Sequence, residues 1–129
     1  MIMVNKTQQS KRVLVVDDDP TIVESTCLIL NEWGYQTEAM IDGKKVYDMN
    51  KNFPDVMLLD IWMSDQDGRE ITKFLKKNKL TKNIPIIMIS ASRDLEKSAK
   101  DAGANDFLEK PFEMQDLLDK VEHHANQRN

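Results

Sequence analysis

Four places along the chain put a chemically active side chain at or just past the end of a short apolar run. Val13-Leu14-Val15-Val16 runs into Asp17-Asp18-Asp19, and Val56-Met57-Leu58-Leu59 runs into Asp60. Ile84 to Ile89 ends at Ser90, and Asp106-Phe107-Leu108 stops just before Lys110-Pro111. Carboxylates crowded together repel and raise one another's pKa unless a cation neutralises them. Hard oxygen ligands with room for waters and a phosphate suit Mg²⁺. A hydroxyl and a point positive charge complete what a phosphoryl-handling site needs. Taken singly, each group has a plainer explanation. Acidic residues after strands form turns and cap helices, a lysine before a proline sits in solvated loops, and Trp62 is a loop or core aromatic. Co-occurrence at four strand ends carries the reading.

Positioning these groups requires the runs to be strands of one sheet. A continuous apolar run bounded by polar residues fits a strand buried on both faces. Pro85 is tolerable near a strand start, where a ladder N–H can be missing. Tyr35 to Ala39 alternates and suits an edge strand, and Asp106-Phe107-Leu108 is a short last strand. Helical spacing fills the gaps. Asp19 and Pro20 make a cap and first turn, followed by Val23, Cys27, Leu30 and Trp33 and closed by Gly34. Asp67-Gly68-Arg69-Glu70 has capping-box spacing, with Ile71, Phe74 and Leu75 as that helix's inward face. Leu95, Ala99 and Ala102 form a stripe ended by Gly103, and Met114, Leu117, Leu118, Val121 and Ala125 mark the last helix. A weaker helix is expected over Gly43 to Asn50. Five strands alternating with five helices predict an α/β fold, a parallel sheet with helices on both faces. In such sheets the crevice lies at the carboxyl ends of the strands, where neighbours are only ~5 Å apart.

The bulk properties agree with one soluble globular domain: 129 residues, 40% hydrophobic and 31% charged. A net charge of −4 argues against a nucleic-acid or anionic-membrane surface. No apolar run approaches the ~20 residues of a membrane span. Met1 to Ser10 lack a signal core, and the one cysteine, Cys27, cannot form an internal disulfide. A cytoplasmic protein is expected, with residues 1–10 a flexible segment, 11–126 the domain and 127–129 a tail. With so little beyond the final helix, no attached output domain is expected. His123 and His124 read as solvated rather than metal-binding.

Over roughly residues 11 to 125 the chain resembles the receiver domains of bacterial response regulators, including the single-domain chemotaxis type. The segments that carry the resemblance are Val13 to Pro20, Leu58-Leu59-Asp60-Ile61-Trp62-Met63, Asp67-Gly68, Ile89-Ser90-Ala91 and Ala102 to Phe112. The resemblance implies a flavodoxin-like (βα)5 fold with strand order 2-1-3-4-5. It implies that Asp17 and Asp18 hold Mg²⁺, that Asp60 is the phosphoacceptor, and that the backbone carbonyl of Trp62 is a further metal ligand. Ser90 then matches the switch hydroxyl, Phe107 the switch aromatic, and Lys110 the phosphate-binding lysine, whose bond to Pro111 is cis. The implied function is phosphorelay signalling rather than metabolic catalysis. A sensor histidine kinase or phosphotransfer protein donates to Asp60. A protein target reads the surface of the fourth helix, fifth strand and fifth helix (Leu95 to Ala102, Phe107, Met114 to Val121), and a phosphorylation-dependent dimer is a further possible partner state. No nucleic acid or membrane is expected as a partner.

Two departures from the family's usual residues lie in the loop after Asp60, where Ser64 stands for a common proline and Gln66 for a common methionine. Losing proline frees backbone conformations, so a looser loop is expected. The rival reading is an enzyme. Asp17-Asp18-Asp19-Pro20-Thr21 also fits the Asp-x-Asp-x-Thr pattern of haloacid-dehalogenase-like phosphatases, in which Asp17 would be the nucleophile and Asp60 would have no role. A third reading is a pseudo-receiver that keeps only the fold, which would have lost acceptor or metal residues.

Overall fold

The computed structural model describes residues 11–127. The expected flexible segment 1–10, and most of the expected tail, lie outside the described residues. Five strands form a single parallel sheet: β1 (Arg12–Val16), β2 (Gln36–Met40), β3 (Val56–Asp60), β4 (Ile86–Ser90) and β5 (Asp106–Glu109), in spatial order β2-β1-β3-β4-β5. Between and after them run α1 (Pro20–Glu32), α2 (Gly43–Asp48), α3 (Gly68–Lys77), α4 (Leu95–Ala102) and α5 (Met114–Gln127).

Period-two alternation divides the core. Val13, Val15, Val56, Leu58, Ile87 and Ile89 pack with Val23, Leu30, Leu117, Leu118 and Val121 on the α1/α5 side. Leu14, Val16, Met57 and Leu59 pack with Val46, Ile71 and Leu75 on the other side, and Met88 joins Ile61, Leu95, Ala99 and Ala102 beneath α4. β1, β3 and β4 are thus buried on both faces, which is why their sequences are apolar without interruption. Truncating one of these fully buried leucines, such as Leu58, costs about 2–5 kcal/mol.

The helix signals act largely as read. Asp19 Oδ1 accepts the Thr21 N–H at 3.0 Å and caps α1, with Pro20 as its first residue. Gly34 and Gly103 end α1 and α4 at φ 97° and 89°, in the left-handed region that glycine enters freely. Some expectations fail. α2 is a 3-10 helix that ends at Asp48, short of Asn50. β4 begins at Ile86 and includes Ser90, so Pro85 lies outside the strand and contributes only its carbonyl, to the Met57 N–H. The buried stripe of α3 is Gly68, Ile71, Thr72 and Leu75, and Phe74 lies beside it, exposed, with its ring edge-on to Tyr47. Trp33 and Met114 are exposed at helix ends rather than inward. α5 continues to Gln127, one residue into the expected tail. His124 is buried, not solvated, because Asp106 on β5 receives its ring nitrogen at 2.9 Å. His123 is exposed.

Candidate functional site

The sheet register builds the site. Val16 pairs with Leu59, so Asp17, one residue past β1, comes beside Asp60, the last residue of β3. Asp17 N still donates to Met40 O, carrying the ladder past the strand end and fixing the backbone there. By alternation Asp17 follows Val13 and Val15, and Asp60 follows Val56 and Leu58, so both point to the same side of the sheet. Lys110, directly after β5, reaches across to them from the other end of the crevice. Its Nζ lies 3.1 Å from Asp17 Oδ2 and 3.4 Å from Asp60 Oδ1. Asp17, Asp18 and Asp60 each offer a carboxylate oxygen within 4.8 Å of the others. Three hard oxygen donors at that spacing, open to solvent on one side, fit Mg²⁺, which keeps several of its own waters.

Electrostatics mark Asp60 as the unsatisfied member. Burial, then the charge of Asp17, push its carboxyl up from 3.8 to about 6 against the opposing pull of Lys110. Burial would lower the Lys110 ammonium, but its bond to Asp17 and the charge of Asp60 outweigh that and raise it. Asp18 goes the other way. Ser64 donates to it from both hydroxyl and backbone, and its carboxyl falls below the ordinary range.

The remaining candidates surround this cluster. Ser90 ends β4 in the strand beside Asp60, buried, and its hydroxyl oxygen accepts the Ser92 N–H at 3.0 Å. Phe107 is half-buried on β5, with the Lys120 ammonium 5.6 Å from its ring centre. Trp62 is 54% exposed, and its ring carries the Arg69 guanidinium at 4.5 Å. Arg69 is itself held by Asp67 at 2.7 Å. The Lys110-Pro111 peptide is cis. Asp19 is occupied in capping α1 and is not one of the three clustered carboxylates. The third member of the cluster is instead Asp60, for which the phosphatase pattern has no role.

Two residues were named from sequence without the part that they play in the site. A Cβ at Gly68 would stand 2.4 Å from the Asp60 carbonyl oxygen and 2.8 Å from Ile61 Cα, so only glycine lets α3 start against the end of β3. Ser64 was noted as a missing proline, and the loop was expected to be looser for it. Instead the freed N–H is spent on Asp18, and the loop is tied again by the Met63-to-Gln66 hydrogen bond and the Trp62–Asp67 bridge. The Asp67 cap was legible in its spacing, although Asp67 receives the Arg69 N–H and Glu70 pairs with Lys73 rather than closing the box.

Residues 13–122 match the family model of the response regulator receiver domain. Among curated relatives, response regulator MprA of Mycobacterium bovis is 36% identical over 115 residues, covering 87% of this chain and 49% of that protein. The phosphate regulon transcriptional regulatory protein PhoB of Escherichia coli is 32% identical over 115 residues, 87% of this chain and 50% of its own length. The chain thus spans about half the length of these relatives. Among solved structures, a putative response regulator from Chloroflexus aurantiacus superposes with a TM-score of 0.83 at 34% identity, over 90% of this chain and 98% of that one. The chemotaxis protein CheY4 of Vibrio cholerae gives 0.80 at 29% identity, over 88% and 97%. With the sheet order, the acidic crevice and these relatives in agreement, the chain belongs to the response regulator receiver domain family of two-component signalling.

Proposed function

We propose that Asp60 is the phosphoacceptor of this receiver and that Lys110, Asp17 and Asp18 are the groups that make its phosphorylation possible. The observation that carries the reading is the convergence of three carboxylates within 4.8 Å of one another, two of them bridged by a single ammonium. An Asp60 carboxylate oxygen attacks the phosphorus of a phosphohistidine on a sensor kinase or phosphotransfer protein. The new O–P bond makes an acyl phosphate, and the P–N bond breaks with its electron pair returning to the imidazole. Lys110 exchanges its contacts with Asp60 for the incoming phosphoryl oxygens. Asp17, Asp18, Asp60 and the Trp62 carbonyl would hold Mg²⁺, which when bound would supply the positive charge that makes attack by one anion on another feasible. No helix among the described residues is long and apolar enough to cross a membrane, and we place the domain, residues 11–126, in the cytoplasm.

Ser90 and Phe107 are assigned the switch. The Ser90 hydroxyl leaves the Ser92 N–H for the phosphoryl group, and Phe107 moves into the space behind it. That biases the α4–β5–α5 face between two states that a protein target, or a second copy, distinguishes. With its net charge of −4, the chain itself has little counterion-release drive toward nucleic acid. This is a relay that assists its own modification, not a metabolic enzyme.

Incubation with acetyl phosphate and Mg²⁺ tests the assignment. Intact-mass measurement should show one added phosphoryl group, lost in Asp60→Asn and lost with chelator. A phosphoryl group retained in Asp60→Asn but absent from Asp17→Asn would move the nucleophile to Asp17 and revive the phosphatase reading.

A further inference from the structure

Ser64 stands four residues past Asp60, in the loop between β3 and α3. Its backbone N–H and its hydroxyl both donate to Asp18 Oδ2, each at 2.6 Å. A proline at this position has neither donor, so the clamp exists because this chain carries serine there. Hydrogen bonds to an ionised acceptor are the short, strong kind.

The clamp falls on the carboxylate that most needs it. Lys110 touches Asp17 and Asp60, while on Asp18 its charge is the weakest of the influences at work. Asp18 is also the member of the trio nearest to solvent; Asp17 and Asp60 are buried. With no ammonium in contact, an untethered Asp18 is free to turn toward solvent. The Ser64 donors, fixed at the loop's own backbone, hold it within 4.8 Å of the other two ligand oxygens. Both bonds go to one oxygen, so Oδ1 stays outside the clamp and faces no competition from Ser64.

We propose that Ser64 is a positioning residue for the metal site: by clamping Asp18 Oδ2 before the cation arrives, it sets the affinity of this domain for Mg²⁺. The proposal rests on the reading of the acidic trio as the Mg²⁺ site. Hydrogen-bond partners that orient metal ligands are worth about 10–100-fold in metal affinity, and because Ser64→Ala keeps the backbone donor, a loss near the lower end, about 10-fold, is expected.

Isothermal titration of the full chain with MgCl₂ measures this, with Trp62 fluorescence in a Trp33→Phe background as a second readout. Ser64→Ala should bind Mg²⁺ about 10-fold more weakly, Ser64→Thr should recover most of that loss, and the melting temperature in chelator should be the same in all three. Equal or tighter binding by Ser64→Ala overturns the clamp, as does a loss that Ser64→Thr fails to recover. Wild type that takes up no Mg²⁺ brings down the metal reading itself and the clamp with it.

Discussion

Two aspartates at opposite ends of β-strands, Asp60 buried and Asp106 half-buried, show what surroundings do to the same side chain. Asp60 closes β3 and Asp106 opens β5, and burial pushes both carboxyls up. At Asp106 that push is outweighed by hydrogen bonds from Lys120 at 2.8 Å and His124 at 2.9 Å, and its carboxyl ends below the ordinary value. At Asp60 a second carboxylate adds to the push, Lys110 is shared with Asp17, and the carboxyl ends at about 6. One aspartate has its partners built in, so it fastens α5 to the sheet. The other shares its one ammonium with a second carboxylate, the kind of perturbed group that marks a functional site.

Substitution at the two sites should therefore change stability in opposite directions. Asp106→Ala strands the buried His124 ring and the Lys120 ammonium and should lower unfolding free energy by about 2–3 kcal/mol. Asp60→Asn removes a carboxylate that the fold tolerates poorly. In chelator it should raise stability by about 1–2 kcal/mol, the loss of a Lys110 contact taking back part of the gain. Paired urea titrations of the two variants decide this, and two changes of the same sign would erase the contrast.

The contrast extends to pH. Asp60 has a higher pKa folded than unfolded, so the native state holds the extra proton between about pH 4 and pH 6. Its contribution favours folding at the acid end of that window and is lost as pH rises through it. In metal-free buffer the stability gap between Asp60→Asn and wild type should therefore widen from pH 4 to pH 7, by roughly 1–3 kcal/mol. A gap that stays flat would mean that Asp60 is ionised throughout. Asp106 acts at lower pH: its depressed pKa gives stability that is present above the unfolded value and is lost on acidification. The smallest effect is expected from Lys120→Met, which keeps the stem packing and leaves His124 on Asp106. With a third of the lysine side chain exposed, it should cost less than about 1 kcal/mol.

How much of this was legible in the sequence depends on how local the cause is. The three apolar runs of β1, β3 and β4 declare strands buried on both faces, and the residues that end them fall at one sheet edge by topology alone. Asp17, Asp18, Asp60 and Lys110 could be grouped before any coordinate was known. Phe74 was misplaced because helical spacing gives a stripe but not its width, and the ring lies at the stripe's margin, exposed and edge-on to Tyr47. His124 was misread because its partner lies 18 residues away on another element. The Ser64 clamp spans 46 residues. No spacing rule reaches that far, and the missing proline was the one local sign that something in the loop had changed.

Lys110 also ties the site to the order in which the chain can fold. Its two carboxylate partners lie 93 and 50 residues earlier, and it arrives only with β5, the last of the five strands in chain order and an edge of the sheet. Until β5 pairs with β4, Asp17 and Asp60 face each other with no ammonium between them. Closing that sheet edge is therefore the step that balances the crevice's charge, whereas completing the core also needs Leu117, Leu118 and Val121 of α5. A chain in which Lys110 bridges Asp17 and Asp60 has, by that fact, closed the β5 edge of its sheet.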